Sequence, residues 1–570
     1  MSGAHVVGID LGTTNSLVAI FTDEGPQLVP NALGHFMTPS AVGYSDDGEL
    51  LIGQAAKDRL VTHPELTAAR FKRYMGSNHE VSLGKRTFRA EELSSFVLRS
   101  LKQDAEARLG HPVTEAVISV PAYFNNTQRQ ATATAAKLAG LTVNRLVNEP
   151  TAAALAYGLQ DRDGESTFLV IDLGGGTFDV SILEMFSGVM EVRASSGDAF
   201  LGGEDFTDAL AAHLKVQLGI AQDAPLDRED TARLRALADR MKVQLSERAN
   251  VQATFALRGT PAALEITRDS YDEIISPIIA RMRLPIQRVI TDAGLKADRL
   301  SRIIMVGGAT RTPAVHGLVT RLFKRFPEHS IDPDHVVALG AAVQAGLAMR
   351  HAALDDVVMT DVAPFTLGYE VSMEIAKDQF EHGRFMPVIE RNTVVPVSRS
   401  QVAHPVQLGQ HEIKLKIFQG ESPFTAENVG IGILHVPIPY NHKQYEGIEV
   451  RYTYDTSGLL EVLATVLSTK VTHRIVIESA SGSMTPKEIE TRLKALEKLK
   501  IHPRDKQENI ALKSRLAGAY ANALGEGRDY INALLEHLER ALHTQDERHI
   551  MAVRTEITQR LDEMGATDVF

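Results

Sequence analysis

One stretch of this chain occurs twice. Ile9 to Ile20 reads IDLGTTNSLVAI and Ile171 to Ile182 reads IDLGGGTFDVSI; they align without a gap and share Ile-Asp-Leu-Gly and the later Val and Ile. Each copy is an apolar run ending in Asp, a turn built on Gly and Thr, and a second apolar run. Two such strand–turn–strand units point to duplicated lobes that face each other, with a ligand cleft between them. Further apolar runs at 5–9, 116–120, 168–171 and 302–306 alternate with helical patterns such as 125–139 and 151–157. That alternation predicts an α/β architecture for the first part of the chain.

The texture changes after about residue 355. In HEIKLKIF (411–418), Ile413, Leu415 and Ile417 fall on one face and Lys414 and Lys416 on the other; IEVRYTY (448–454) alternates the same way, and 459–464 and 474–477 add further candidate strands. Period two predicts a half-buried antiparallel sheet, so 363–480 reads as a separate all-β domain. From Thr485 the period becomes helical. Thr485, Pro486 and Glu488 supply an N-cap, a first-turn proline and a capping-box partner, followed by Ile489, Leu493 and Leu496. A chain of 570 residues exceeds one core, and several units are expected.

A formal net charge of -12 argues against nucleic acid or anionic lipid as the main partner, since both require a basic face. With no cysteine, disulfides and thiolate metal sites are impossible. MSGAHVVGIDLG has no basic start followed by a long apolar run, and no apolar stretch approaches the ~20 residues that span a bilayer. The expectation is a cytoplasmic protein without membrane or nucleic-acid partners.

The repeated turns carry the chemistry. Asp10-Leu11-Gly12-Thr13-Thr14 and Asp172-Leu173-Gly174-Gly175-Gly176-Thr177-Phe178-Asp179 place glycines, which let backbone N–H groups approach phosphate, beside hydroxyls and a carboxylate that can hold Mg²⁺ through its water shell. A third glycine turn, Gly307-Gly308-Ala309-Thr310-Arg311, follows the run 303–306. No GxxxxGK[ST] occurs, which excludes a P-loop nucleotidase, and no GxGxxG follows a strand.

With IDLGTTNS, VPAYFNNTQRQAT, NEPTAAALAYG, DLGGGTFD, LGGEDF, VGGATR and LGAAVQAG in this order and approximate spacing, the chain resembles the DnaK-type seventy-kilodalton heat-shock chaperones, from His5 to about 480 and more loosely beyond. The glycine turns are shared with actin and sugar kinases; VPAYFN, NEPTAAALAYG and the β-domain are not. The resemblance implies an actin-like two-lobed α/β ATPase (1–354), an interdomain linker (355–362), a β-sandwich that binds peptide (363–480) and an α-helical lid (481–570). It implies ATP-driven binding and release of extended, unfolded polypeptides, with ATP/ADP, Mg²⁺ and K⁺ as ligands and a J-domain co-chaperone as partner.

Residue by residue, the resemblance puts Gly12, Thr13, Thr14, Asn15, Gly174, Gly175 and Gly176 around the nucleotide phosphates, with Thr177 beside them as a catalytic residue. Asp10 and Asp172 orient Mg²⁺ and its waters. Lys72 points at the γ-phosphate and attacking water, Glu149 organises the metal–water shell, and Asp179 helps place the water. Gly202, Gly203, Gly307, Gly308, Arg311 and Asp334 belong to the nucleotide site, with Asp239, Lys242 and Ser246 on the adenosine. Tyr369, Ala403, Val406, Ile413 and Leu415 are the peptide-pocket candidates. Pro121 and Arg129 relay between the domains, and Val357, Val358 and Asp361 couple them through the linker. A sugar-kinase reading has no use for the β-domain; a one-client scaffold with ATP as timer differs only in client range.

Several positions depart from the family pattern. The linker reads Asp356-Val357-Val358-Met359-Thr360-Asp361, the segment after Gly76 is short, and Ser372 and Val406 stand where the arch over the peptide would form. Asp239 replaces a usual Glu and Ala309 a polar residue, the lid is shorter, and the chain ends at Phe570 without an acidic tail. Together these resemble the specialised HscC branch and put dependence on a GrpE-type exchange factor in question.

Overall fold

The computed structural model describes residues 6–567 except 159–165, 187–188, 222–223, 258–259, 329, 350, 352–353, 355–357, 377–378, 457, 479–506 and 524–525. The capping box at Thr485 lies outside the described residues.

The repeat becomes the same piece of structure twice. Val6–Asp10 pairs antiparallel with Asn15–Thr22 on one side and parallel with Glu115–Val120 on the other. Ser166–Leu173 does likewise with Phe178–Phe186 and Arg302–Val306. Both Asp-bearing strands are central and fully covered, which is why they read as unbroken apolar runs. The first sheet extends through Thr142–Asn148 on one flank and Gly25–Leu28 on the other; the second continues through Val189–Asp198.

Helices Glu149–Gly158 and Val336–Ala348 pack between the two sheets, in a core that joins Val6 and Val117 of the first to Phe168 and Val170 of the second. Their composition is small because backbones nearly touch. A Cβ on Gly340 would lie 1.7 Å from the Ala152 carbonyl oxygen, and one on Gly8 2.2 Å from the Ala342 nitrogen. The Ala/Gly runs NEPTAAALAYG and LGAAVQAG thus set the distance between the lobes.

Beyond residue 366 the period-two segments form two antiparallel four-stranded sheets. One has the order Gln379–Ile389, Leu367–Ala376, Glu412–Gln419, Val429–Pro437; the other Val397–Ala403, Ile448–Tyr454, Leu460–Val466, Thr472–Ile477. Inward residues of both, among them Ile389, Ile417, Val436, Val450 and Val462, make one core. Helices Gln507–Asn522, Glu526–Thr544 and Glu547–Thr567 share a core of their own around Leu516, Leu538 and Ile557.

The segment between the lobes and the β-module is a strand. Val358–Val362 runs parallel to Val189–Asp198 through the pairs Val189↔Val358, Met190↔Met359 and Glu191↔Thr360. It then pairs antiparallel with Val394–Val395 through Asp361↔Val395 and Val362↔Val394. The second lobe's sheet therefore continues without a break into the β-module. Val357 lies outside the described residues.

Candidate functional site

The two copies of the repeat turn toward each other. A Cβ on Gly175 would lie 2.1 Å from Thr14 Oγ1, and one on Gly176 2.9 Å from Thr13 Oγ1. The phosphate-type turn of one lobe thus faces that of the other with no room for a side chain. Gly202 and Gly203 back this contact: a Cβ on Gly202 would lie 2.4 Å from the Gly175 carbonyl oxygen, and Gly203 N–H donates to the Gly174 carbonyl at 2.9 Å. Gly307 joins them with φ 83, its missing Cβ 2.5 Å from the Leu173 carbonyl oxygen. Gly12 is tied by its carbonyl to Ser40 Oγ at 2.7 Å, and Asn15 opens the strand that follows.

Beneath the turns sits a buried charge cluster. Lys72 Nζ donates to Glu149 Oε1 at 2.8 Å, both side chains under 10 % exposed, and lies 5.6 Å from the Phe124 ring centre. Asp10 accepts from Ser119 Oγ at 2.7 Å, and Asp179 from the Tyr123 N–H at 3.0 Å. Burial pushes the Asp179 carboxyl up to about 8 and that of Asp10 up to about 6, with Glu149 adding to both. Asp172 is likewise held well above the usual carboxylate range by burial, then by Glu149, Asp179 and Asp10. Four carboxylates around one lysine lack positive charge, and a divalent cation is the counter-charge that fits. Among the described residues no three His, Asp or Glu side chains converge closely enough to chelate an ion alone, so Mg²⁺ held here would keep part of its water shell. Thr177, buried, returns its carbonyl to the Gly174 N–H at 3.2 Å.

Further out, Lys242 Nζ reaches the Gly203 carbonyl at 3.2 Å and Asp239 at 2.7 Å. Ser246 caps the end of the same helix, Arg228–Leu245. Arg311 is paired with Asp332 and Asp334, each at 2.9 Å, and a Cβ on Gly308 would lie 2.9 Å from Asp334 Oδ1. These groups form one rim around the glycine turns.

One cation–ring contact and three hydrogen bonds lead from the cluster to the joining strand. Phe124, against Lys72, accepts Arg129 Nε at its carbonyl (3.0 Å); Arg129 Nη2 donates to Asn148 Oδ1 (2.7 Å); and Asn148 Nδ2 donates to Asp361 Oδ2 (3.1 Å). Pro121 starts the turn, its carbonyl accepting the Phe124 N–H at 3.1 Å. The helix carrying Arg129 also meets the β-module: the Asn126 N–H donates to Gln419 Oε1 at 2.9 Å.

Ser119, Phe124 and Asn148 were not among the expected site residues. A serine inside the apolar strand Glu115–Val120 and an asparagine before Glu149 are the only local hints, because their partners are 109 and 213 residues away. Of the peptide-pocket candidates, Tyr369 and Leu415 are 3 % and 2 % exposed, and alternation sends both inward into the sandwich core. Ala403 and Ile413 are half-buried against that core, and Val406 is half-buried in the loop beyond.

Among the described residues no helix is long and apolar enough to cross a membrane. The family model for Hsp70 protein matches residues 6–83 and 79–567. The proteins named "Chaperone protein DnaK" of Thermotoga petrophila and Thermotoga maritima are each 39% identical over 549 residues, covering 93% of this chain and 90% of theirs. With facing glycine turns over a buried lysine–carboxylate cluster, and a match spanning both the lobes and the β-module, the chain belongs to the Hsp70 family: it is an ATP-hydrolysing chaperone that binds unfolded polypeptides.

Proposed function

We propose that ATP binds between the facing turns and that its hydrolysis drives release and recapture of extended polypeptide on the β-module through the strand Val358–Val362. The observation that carries this reading is the unbroken path from Lys72 and Phe124 through Arg129 and Asn148 to Asp361. Gly12, Thr13, Thr14, Asn15, Gly174, Gly175, Gly176 and Thr177 take the phosphates; Asp239, Lys242 and Ser246, with Gly307, Gly308, Arg311 and Asp334, take the nucleoside side. Asp10 and Asp172 would hold Mg²⁺ through water, and the ion would supply positive charge against that of the phosphates. Lys72 neutralises charge developing on the transferred phosphoryl, Glu149 holds that lysine, and Asp179 orients the attacking water. K⁺ is a second ion for the same acidic site.

The joining strand is the coupling element. Main-chain pairing to Val189–Asp198 fits one nucleotide state, and its loss frees the β-module in the other; a ligand shifts that balance only by its differential affinity for the two states. The helices 507–567 act as the lid, and a J-domain protein is the expected co-chaperone. The departures at Thr360, Ser372, Val406, Asp239 and Ala309 favour the specialised HscC branch. The test follows a fluorescent extended peptide by anisotropy. Mg-ATP should release it from the wild type, and Arg129→Ala should slow release about tenfold, a loss of a hydrogen-bonded coupling worth roughly 1.4 kcal/mol. Release at the wild-type rate in Arg129→Ala would exclude the path as the coupling route.

A further inference from the structure

Three parts of the chain meet around one cavity of about 1040 Å³: the second lobe's sheet at Glu191 and Arg193, the β-module at Arg391 and Arg399, and the turn between the last two helices at Gln545 and Arg548. The turn makes a specific contact on each side. Gln545 carries its side chain from a left-handed backbone, φ 53, which a residue with a Cβ adopts rarely and at a cost. Its amide accepts the Ser400 N–H at 3.1 Å and donates to the Ser400 carbonyl at 2.8 Å. Ser400 lies on Val397–Ala403, an edge strand of its sheet, so the glutamine amide takes the place of a neighbouring strand. Beside it, Arg399 faces Asp546 and Glu547 of the same turn.

On the other side Arg548 forms an ion pair with Glu191. Glu191 is buried, also meets Arg193, and is the register partner of Thr360 in the joining strand. The turn therefore grips the lobe at the very strand position where Val358–Val362 pairs. Both contacts exist together in the arrangement in which the joining strand holds the β-module against the lobe. A contact made in one state and absent from the other shifts the equilibrium toward the first.

We propose that the turn 544–548 is a latch: Gln545 on Ser400 and Arg548 on Glu191 stabilise the arrangement in which the joining strand is paired to the second lobe, and loosening the turn frees that strand. The inference rests on the two-state reading of the joining strand given above. It makes the last helices a regulator of coupling through their far turn.

Hydrogen exchange of the backbone amides at 358–362 in full-length protein with Mg-ATP tests it. Arg548 is half exposed, and Gln545→Gly suits a left-handed backbone, so neither Arg548→Glu nor Gln545→Gly removes a core group from the helical bundle. Each variant should speed exchange of these amides by about fivefold or more, and Arg548→Lys, which keeps the charge, should stay close to the wild-type rate. If both single variants exchange at the wild-type rate while the wild type is protected by Mg-ATP relative to ADP, the latch is overturned and the docking reading stands. If wild-type amides exchange equally in ATP and ADP, the docking reading fails and the latch with it.

Discussion

The cleft between the lobes and the sandwich of the β-module are held by opposite means. In the cleft, four buried carboxylates gather around Lys72, and the glycines at 175, 176, 202 and 307 have no space for even one more carbon. In the sandwich, eight strands share a core of aliphatic and tyrosine side chains in which identity matters less than size and inward direction. A charge cluster built on backbone contact tolerates almost no substitution. A packed sheet tolerates many, provided the period is kept. The first region thus performs chemistry at fixed atoms, while the second offers a shape.

That contrast can be broken at Lys72. Lys72→Ala should lower single-turnover hydrolysis about a hundredfold or more while leaving nucleotide affinity nearly intact, because the cation acts mainly as charge develops. An unchanged rate with only a raised KM would make the cleft a binding pocket like any other. Leu415→Ala tests the other side. At 2 % exposure in the sandwich core, its loss should cost about 3 kcal/mol of β-module stability. Differential scanning calorimetry should show that transition falling while the nucleotide-dependent transition stays; a common fall would show the two regions melting as one.

The third test is electrostatic. Asp179 and Asp10 are raised in the folded protein to about 8 and about 6 from 3.8. A carboxyl that holds its proton more tightly when folded favours the folded state at low pH. That advantage is lost as pH rises from 3.8 through the folded values. Urea midpoints of the metal-free protein should therefore decline between about pH 5 and 8, and Mg-ADP should flatten the decline by stabilising the ionised carboxylates. A metal-free midpoint independent of pH would remove the cleft's charge strain from the comparison.

The lobes were legible because their constraint is local. A strand that must end in Asp, turn without side chains and restart writes that need into consecutive residues, twice, and the Ala/Gly helices between the lobes leave the same kind of trace. The sandwich showed its strands through period two but not its pockets: alternation puts Tyr369 and Leu415 on the inward face, and only the closing of two sheets over them turns that face into sealed core. Ser119 under Asp10, Phe124 under Lys72, Asn148 between Arg129 and Asp361, and Gln545 on Ser400 have no sequence signature. Each is one short polar or aromatic contact between segments distant along the chain, and such pairs exist only once packing fixes their distance. The sequence by itself determined the repeat, the phosphate-type turns and the order of α/β, β and helical textures, since each rests on backbone geometry or periodicity within a few residues. The tertiary structure alone decided that residues 358–362 pair with the second lobe's sheet and that the junction of the last two helices reaches Glu191 on the strand beside them, because main-chain edges carry no side-chain code for their partners.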